Sequence, residues 1–196
     1  KLACEAALEA WRRGERPACA ERTYRSRPTT MFDPQTGVCD PHVTYGYGTQ
    51  IVEVEVNPET GQVTLKRVWA AHDVGRAINP MQVEGQIEGA IAQAAGWTLL
   101  EDFIMENGQL RTKSYADYLI PTVYDVPDEV HPIILEIADP QGAYGIRGVG
   151  EMPMLMLAPA ILDAIHDATG IWFTRLPVKA EDVLLALKKR AENQIE

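Results

Sequence analysis

The sequence predicts an α+β fold, a mixed or antiparallel sheet with packed helices, and three observations predict it. Val52, Val54 and Val56 alternate with Glu53 and Glu55 ahead of the turn Asn57-Pro58-Glu59-Thr60-Gly61, the signature of a half-buried strand entering a hairpin. Val83, Ile87, Ala90, Ile91 and Ala94 recur at helical spacing on one face. With 196 residues, 46% of them hydrophobic, the chain is long enough to bury one substantial core.

The elements follow in order. Lys1 to Trp11 reads as a helix with no initiating methionine and no Ser, Thr, Asp or Asn cap before it. That pattern predicts a piece cut from a longer polypeptide, although a processed terminus would read the same. Ala20 to Pro41 carries Pro28, Pro34 and Gly37 and few large apolar residues, so residues 1–41 are expected to be a helix plus a long connection, with residues 42–196 forming the α+β core. The basic cluster Arg22, Arg25 and Arg27 is expected to be solvated. His42 to Val56 and Gln62 to Ala71 form the hairpin.

Asn79-Pro80 then starts a helix, with Asn79 as cap and Pro80 in the first turn. On that helix Gly85, Gly89 and Gly96 mark expected close approaches of another backbone. Trp97 to Met105 is expected to be a strand, Glu106 to Gln109 a turn and Leu110 to Thr112 a short return, whereas Tyr115 to Asp125 is ambiguous by pattern. In His131 to Ala138, Ile133, Leu135 and Ile137 alternate with more polar or edge positions, giving one more strand. Leu157 to Thr169 is helical up to Gly170, a left-handed cap, and a last helix after Pro177 buries Val183, Leu184 and Leu187.

Composition narrows the function classes. A net charge of −10 and scattered Lys and Arg argue against a nucleic-acid groove. No run approaches the roughly 20 apolar residues that span a bilayer, and the amino end lacks the order of a signal peptide. Cys4, Cys19 and Cys39 are odd in number and lack CxxC spacing, which predicts reduced thiols in a cytoplasmic protein rather than disulfides, a zinc site or an iron–sulfur cluster. His42, His131 and His166 are isolated and form no HxH or HExxH pattern, so no protein-ligated metal is expected. The alternating Met152, Met154 and Met156 read as adaptable core rather than as a soft-metal stripe.

The stretch richest in chemistry is Gly142-Ala143-Tyr144-Gly145-Ile146-Arg147-Gly148-Val149-Gly150-Glu151, followed by the apolar run Met152 to Leu157. Glycine lets backbone approach a ligand where any Cβ would be excluded, and the loop delivers a single carboxylate to the edge of the core. From the residues alone, Glu151 reads equally as a catalytic carboxylate and as a helix-start carboxylate favoured by the macrodipole. His72 and Asp73 invite an acid/base pair, but neighbours on a strand point to opposite faces. The loop does not follow the GxGxxG order, and no phosphate-binding GxxxxGK[ST] or GxSxG nucleophile elbow is present.

Three segments in order carry a family resemblance: Ala71-His72-Asp73-Val74-Gly75-Arg76-Ala77-Ile78-Asn79-Pro80, Val83-Glu84-Gly85-Gln86-Ile87-Glu88-Gly89-Ala90, and Gly145-Ile146-Arg147-Gly148-Val149-Gly150-Glu151. Together they resemble the carboxy-terminal part of the molybdopterin-binding large subunit of the xanthine dehydrogenase and aldehyde oxidase family, the molybdenum hydroxylases. The likeness runs from the first helix to Leu176-Pro177 and Glu181-Asp182-Val183-Leu184. It implies hydroxylation of an electrophilic carbon with water-derived oxygen, with Glu151 as catalytic base, Gly148, Val149 and Gly150 lining the molybdenum site, and Gln86 near the cofactor. Met152-Pro153 departs from the Pro-Pro or small residue found in many relatives after this glutamate.

The resemblance also implies partners. Iron–sulfur clusters and FAD would sit on other domains or subunits, and the rest of the molybdopterin subunit would supply most of the cofactor contacts and the pocket for a small-molecule substrate. The chain by itself is then expected to bind no molybdopterin tightly, to show no turnover, and to dimerise or aggregate through an exposed apolar face. The rival expectation is a non-catalytic assembly module that docks partner subunits.

Overall fold

The computed structural model describes residues 1–193; residues 194–196, the last of the expected 42–196 core, lie outside the described residues. Helix α1, Leu2–Arg12, buries only Ala10, and the connection that follows is irregular apart from a bridge between Thr30 and Asp40. Here one expectation is corrected. Arg22 and Arg25 are exposed, but Arg27 is half-buried and donates to Asp40 Oδ1 at 2.8 Å, so it ties the two ends of the connection together instead of being solvated.

Strands β1, Tyr47–Val56, and β2, Val63–Asp73, form the expected antiparallel hairpin, with an irregularity between Glu53 and Val54. Helix α2, Pro80–Leu99, carries the chain across, with Asn79 Oδ1 accepting from Gln82 N at 3.2 Å. After the small ribbon β3, Met105–Glu106, and β4, Gln109–Leu110, strand β5, Glu129–Leu135, pairs parallel to β2. The sheet order is therefore β1-β2-β5, mixed in sense. Two 3₁₀ turns, Ala143–Gly145 and Met152–Met154, lead into α3, Leu157–Thr169, which ends on Gly170 at φ 68°, and α4 covers Ala180–Asn193.

One face of the sheet is the core. The rows Val52–Val68–Val130, Gln50–Ala70–Pro132 and Gly48–His72–Ile134 lie across β1, β2 and β5, and α2 and α3 pack over them. The core joins Val68 and Ala70 to Ile87 and Ile91 of α2, Leu157, Ile161 and Ile165 of α3, and Val183 of α4. Among the described residues, no helix is long and apolar enough to cross a membrane.

Three sequence expectations fail on non-local packing. Trp97 to Leu99 continue α2 instead of starting a strand, with Gly96 buried against Pro121, and the Thr98 hydroxyl bonds back to Ala94 O at 2.6 Å within the helix. On β5 the inward residues are Val130, Pro132 and Ile134, so Ile133 and Leu135 point outward and are 43% and 44% exposed. Both faces of this strand carry apolar residues, the outer one beside Glu129 and His131, and alternation alone does not say which face is covered. Among the described residues Gly85 and Gly89 meet no neighbour, and Gly96 is approached by the Glu101 and Pro121 side chains rather than by another backbone.

Candidate active site

The glycine loop is fastened to the end of β2 before it reaches Glu151. Asp73, 3% exposed, accepts on Oδ1 from Gly75 N at 3.0 Å and from Ile137 N at 3.1 Å. Gly75 has φ 63°, and a Cβ there would collide with the Gly145 carbonyl, so only glycine lets the two segments close. Arg76 N then donates to Gly145 O and Arg147 N to Val74 O, both at 2.8 Å.

The Arg147 side chain completes the junction. Its Nε lies 3.3 Å from Asp73 Oδ2, close enough for ion pairing but out of line for a hydrogen bond, and its Nη1 lies 3.4 Å from Asp139 Oδ2. Nη1 also donates to the Tyr45 carbonyl, and the guanidinium sits 5.6 Å from the Tyr47 ring centroid. The Asp139 carboxyl is held below the usual carboxylate range by the Thr44 hydroxyl first, then by the Gln141 and Gly142 amides and by Arg147, with desolvation opposing. All three charged side chains are nearly closed off from solvent, at 11% exposure for Arg147, 4% for Asp73 and 5% for Asp139.

Beyond Arg147 the loop alternates. Val149 packs on the core while Gly148, Gly150 and Glu151 are exposed. Gly148 faces open space, and the only neighbour a Cβ at Gly150 would meet is Gln86 Oε1, 3.9 Å away. Between this loop and the first turns of α2 lies an open cleft of about 700 Å³, lined in part by Asn79, Gln82, Gly85, Gln86, Ile146 and Val149. Gln86 and Val149, far apart in sequence, thus line one cleft, Gly150 lies beside Gln86, and Gly85 opens into the same space.

Glu151 precedes the turn Met152–Met154, and its side chain makes no capping bond. Helix α3 starts only at Leu157, with Met156 at its N-cap position, so the carboxylate is outside that helix's first turn. The turn itself is anchored: Pro153 is buried and Met154 packs against the core. An exposed carboxylate on a fixed turn, next to backbone without Cβ atoms, can accept a proton from a ligand seated beside the loop.

His72 and Asp73 do not form a pair. The imidazole is in the core under Gly48, and the carboxylate is turned away towards Gly75 and Ile137. Among the described residues no cluster of three or more His, Cys, Asp or Glu side chains could hold a metal ion. Sequence reading missed Arg147 and Asp139 altogether. The available signal was an arginine isolated inside a glycine run together with Asp139-Pro140, where the carboxylate caps its own turn by accepting from Gln141 N at 2.7 Å.

A family model described as the molybdopterin cofactor-binding domain matches residues 2–127. A probable xanthine dehydrogenase subunit from Bacillus subtilis (strain 168) is 39% identical over 180 residues, 92% of this chain and 24% of that protein. "Aldehyde oxidoreductase" from Megalodesulfovibrio gigas is 34% identical over 206 residues, 96% of this chain and 22% of that protein. The solved structure of the aldehyde oxidoreductase from Desulfovibrio gigas superposes with a TM-score of 0.81 at 32% identity, over 92% of this chain and 20% of that one. The chain thus spans about a quarter or less of the length of these relatives. Because the family model covers well over half of the chain and the relatives' likeness extends across nearly all of it, the chain belongs to the molybdopterin cofactor-binding domain family, alongside xanthine dehydrogenase and aldehyde oxidoreductase subunits.

Proposed function

We propose that this chain forms one wall of a molybdopterin cavity and supplies the catalytic base, Glu151, for hydroxylation of a small-molecule substrate at an electrophilic carbon. The observation that carries the reading is that Gln86 and Val149 line one open cleft while Gln86 Oε1 also reaches Gly150, with Glu151 next along a loop fastened by Arg147. The residues fit the group. Gly148 and Gly150 offer backbone that a bulky, polar cofactor can approach, and the Gln82 and Gln86 amides each carry both donors and an acceptor for a pterin edge. When bound, the molybdenum cofactor supplies the redox step and the Lewis acidity that makes water-derived oxygen nucleophilic.

The chain's own residues do the rest. Glu151 holds its carboxylate at the loop end and takes the proton given up by the water-derived oxygen as that oxygen adds to carbon. Val149, seated on the core, keeps the loop from lifting, and Arg147 keeps its base on the sheet. Electrons leave through iron–sulfur and flavin groups carried on other domains or subunits. The remaining contacts to the cofactor, and the substrate pocket, belong to the rest of the molybdopterin-binding subunit, so the isolated chain is inactive and retains no molybdopterin through gel filtration.

Glu151→Gln in the complete enzyme tests the role. Loss of a general base costs roughly 10²–10⁴-fold in turnover, with molybdenum content unchanged. Turnover equal to the parent's would reduce Glu151 to a surface residue and favour a docking module. A second role in docking has its own support, because Ile51, Ile133, Leu135 and Ile137 are all exposed, and the first three lie on the outer face of the sheet.

A further inference from the structure

Behind the turn that follows Glu151 lies a buried polar bridge with no part in proton transfer. Gln50 of β1 points its side chain into the core, where Nε2 lies 2.6 Å from the Pro153 carbonyl oxygen and 3.0 Å from His72 Nε2. A carbonyl only accepts, so the amide must present its nitrogen to Pro153, which fixes the amide's orientation. The second amide hydrogen is then directed at His72 Nε2. That nitrogen must accept, which puts the imidazole proton on Nδ1 and keeps the ring neutral.

The arrangement leaves polar atoms without partners. His72 is fully buried, and among the described residues its Nδ1 has no hydrogen-bond partner, nor has Gln50 Oε1. Gly48 lies directly over the imidazole, where any Cβ would collide with the ring. Each such buried orphan costs on the order of 1–3 kcal/mol. An apolar pair would fill the same space without that cost, so the bridge has to be justified by what it holds, and what it holds is the middle of the turn Met152–Met154.

Resting on the reading of Glu151 as the base, we infer that Gln50 and His72 are positioning residues for it. Gln50 clamps the Pro153 carbonyl from the sheet, and neutral His72 locks the Gln50 amide in the orientation that allows the clamp. The turn's own bonds are long, Met154 N to Glu151 O at 3.2 Å and Leu155 N to Met152 O at 3.3 Å, so the bridge from β1 is its short, firm attachment.

Gln50→Met in the complete enzyme keeps the bulk and removes the donors. A displacement of about 1 Å at a reacting group costs up to roughly 10²-fold, and the expected result is a fall in kcat of about 10- to 100-fold with KM within about twofold of the parent. Molybdenum content stays at the parent level, and hydrogen–deuterium exchange speeds up in the peptide covering residues 150–156 but not in β1 or β2. His72→Gln, which offers Gln50 another acceptor, keeps kcat near the parent's, whereas His72→Leu loses it; this pair decides the matter even if Gln50→Met folds poorly. Parent-like kcat and exchange in Gln50→Met and His72→Leu, beside an inactive Glu151→Gln, overturn the clamp alone. A fully active Glu151→Gln removes the base reading, and the positioning role with it.

Discussion

Arg147→Met is the most direct test of how the glycine loop is held. The substitution retains most of the side chain's apolar stem and removes its charge from between Asp73 and Asp139. Solvent decides the magnitude. An exposed ion pair is worth about 0–1 kcal/mol, whereas removing one partner of a buried pair costs about 3–5 kcal/mol because the other charge is stranded. Asp73 is 4% exposed, which places the pair in the second class. Its Oδ1 still accepts from Gly75 N and Ile137 N, so only Oδ2 is stranded, and the lower end, about 3 kcal/mol, is the expected loss. Urea denaturation followed by far-ultraviolet circular dichroism measures it, and adding Asp73→Asn should restore part of the loss by removing the orphaned charge. A loss under about 1 kcal/mol would mean that water reaches Asp73 and that the loop is held by its backbone bonds alone.

Two further outcomes follow from the core and from burial. Ile87→Ala, at a fully buried position facing the sheet, should cost about 2–5 kcal/mol, read as a lower urea midpoint with an unchanged slope. Burial pushes the His72 imidazole below its ordinary range. Above about pH 6.5 the ring is neutral whether the chain is folded or unfolded; below it the unfolded chain binds a proton that the folded chain resists, so stability falls with pH until the folded ring also titrates. Melting temperature should therefore drop between about pH 7 and about pH 5 in the parent and drop less in His72→Leu; equal slopes would show the imidazole to be titrating freely.

What was legible in the sequence was local. The hairpin around Asn57–Gly61, the Asn79-Pro80 helix start and the Gly170 stop each depend on residues within a turn of one another, and each stands where its pattern placed it. Of the candidate site, the motifs pointed to Gln86 and Val149, which line the cleft, and to Gly150, which lies beside Gln86. Its support could not be read from them. Arg147 reaches Asp73 and Tyr45, 74 and 102 positions away in sequence, and Gln50 reaches Pro153 over 103 positions. No periodicity or spacing rule links such residues; only the folded sheet does. Gly96 shows the same limit in reverse, because a residue that commonly ends a helix is kept inside α2 by Pro121 packed against it.

The reversed face of β5 and the open glycines of α2 have a common physical origin. Ile133 and Leu135 put apolar surface on the outer face of β5 beside Glu129 and His131, and among the described residues helices cover the other face, that of Val130, Pro132 and Ile134. Each glycine in a helix gives up helix propensity of about 1 kcal/mol, and of the three in α2, Gly85 and Gly89 receive no packing in return among the described residues. Both features leave surface uncovered among the described residues, Ile133 and Leu135 on the outer sheet face and Gly85 in the cleft. Stability measured on the chain therefore reports the core built on Ile87, Ile161 and Val183, while turnover in the complete enzyme reports the cleft and the loop. Arg147 lies on the boundary between the two, since its charge is buried with the core and its backbone begins the exposed run to Glu151. Its substitution should register in both measurements, whereas Ile87→Ala should register in the first far more than in the second.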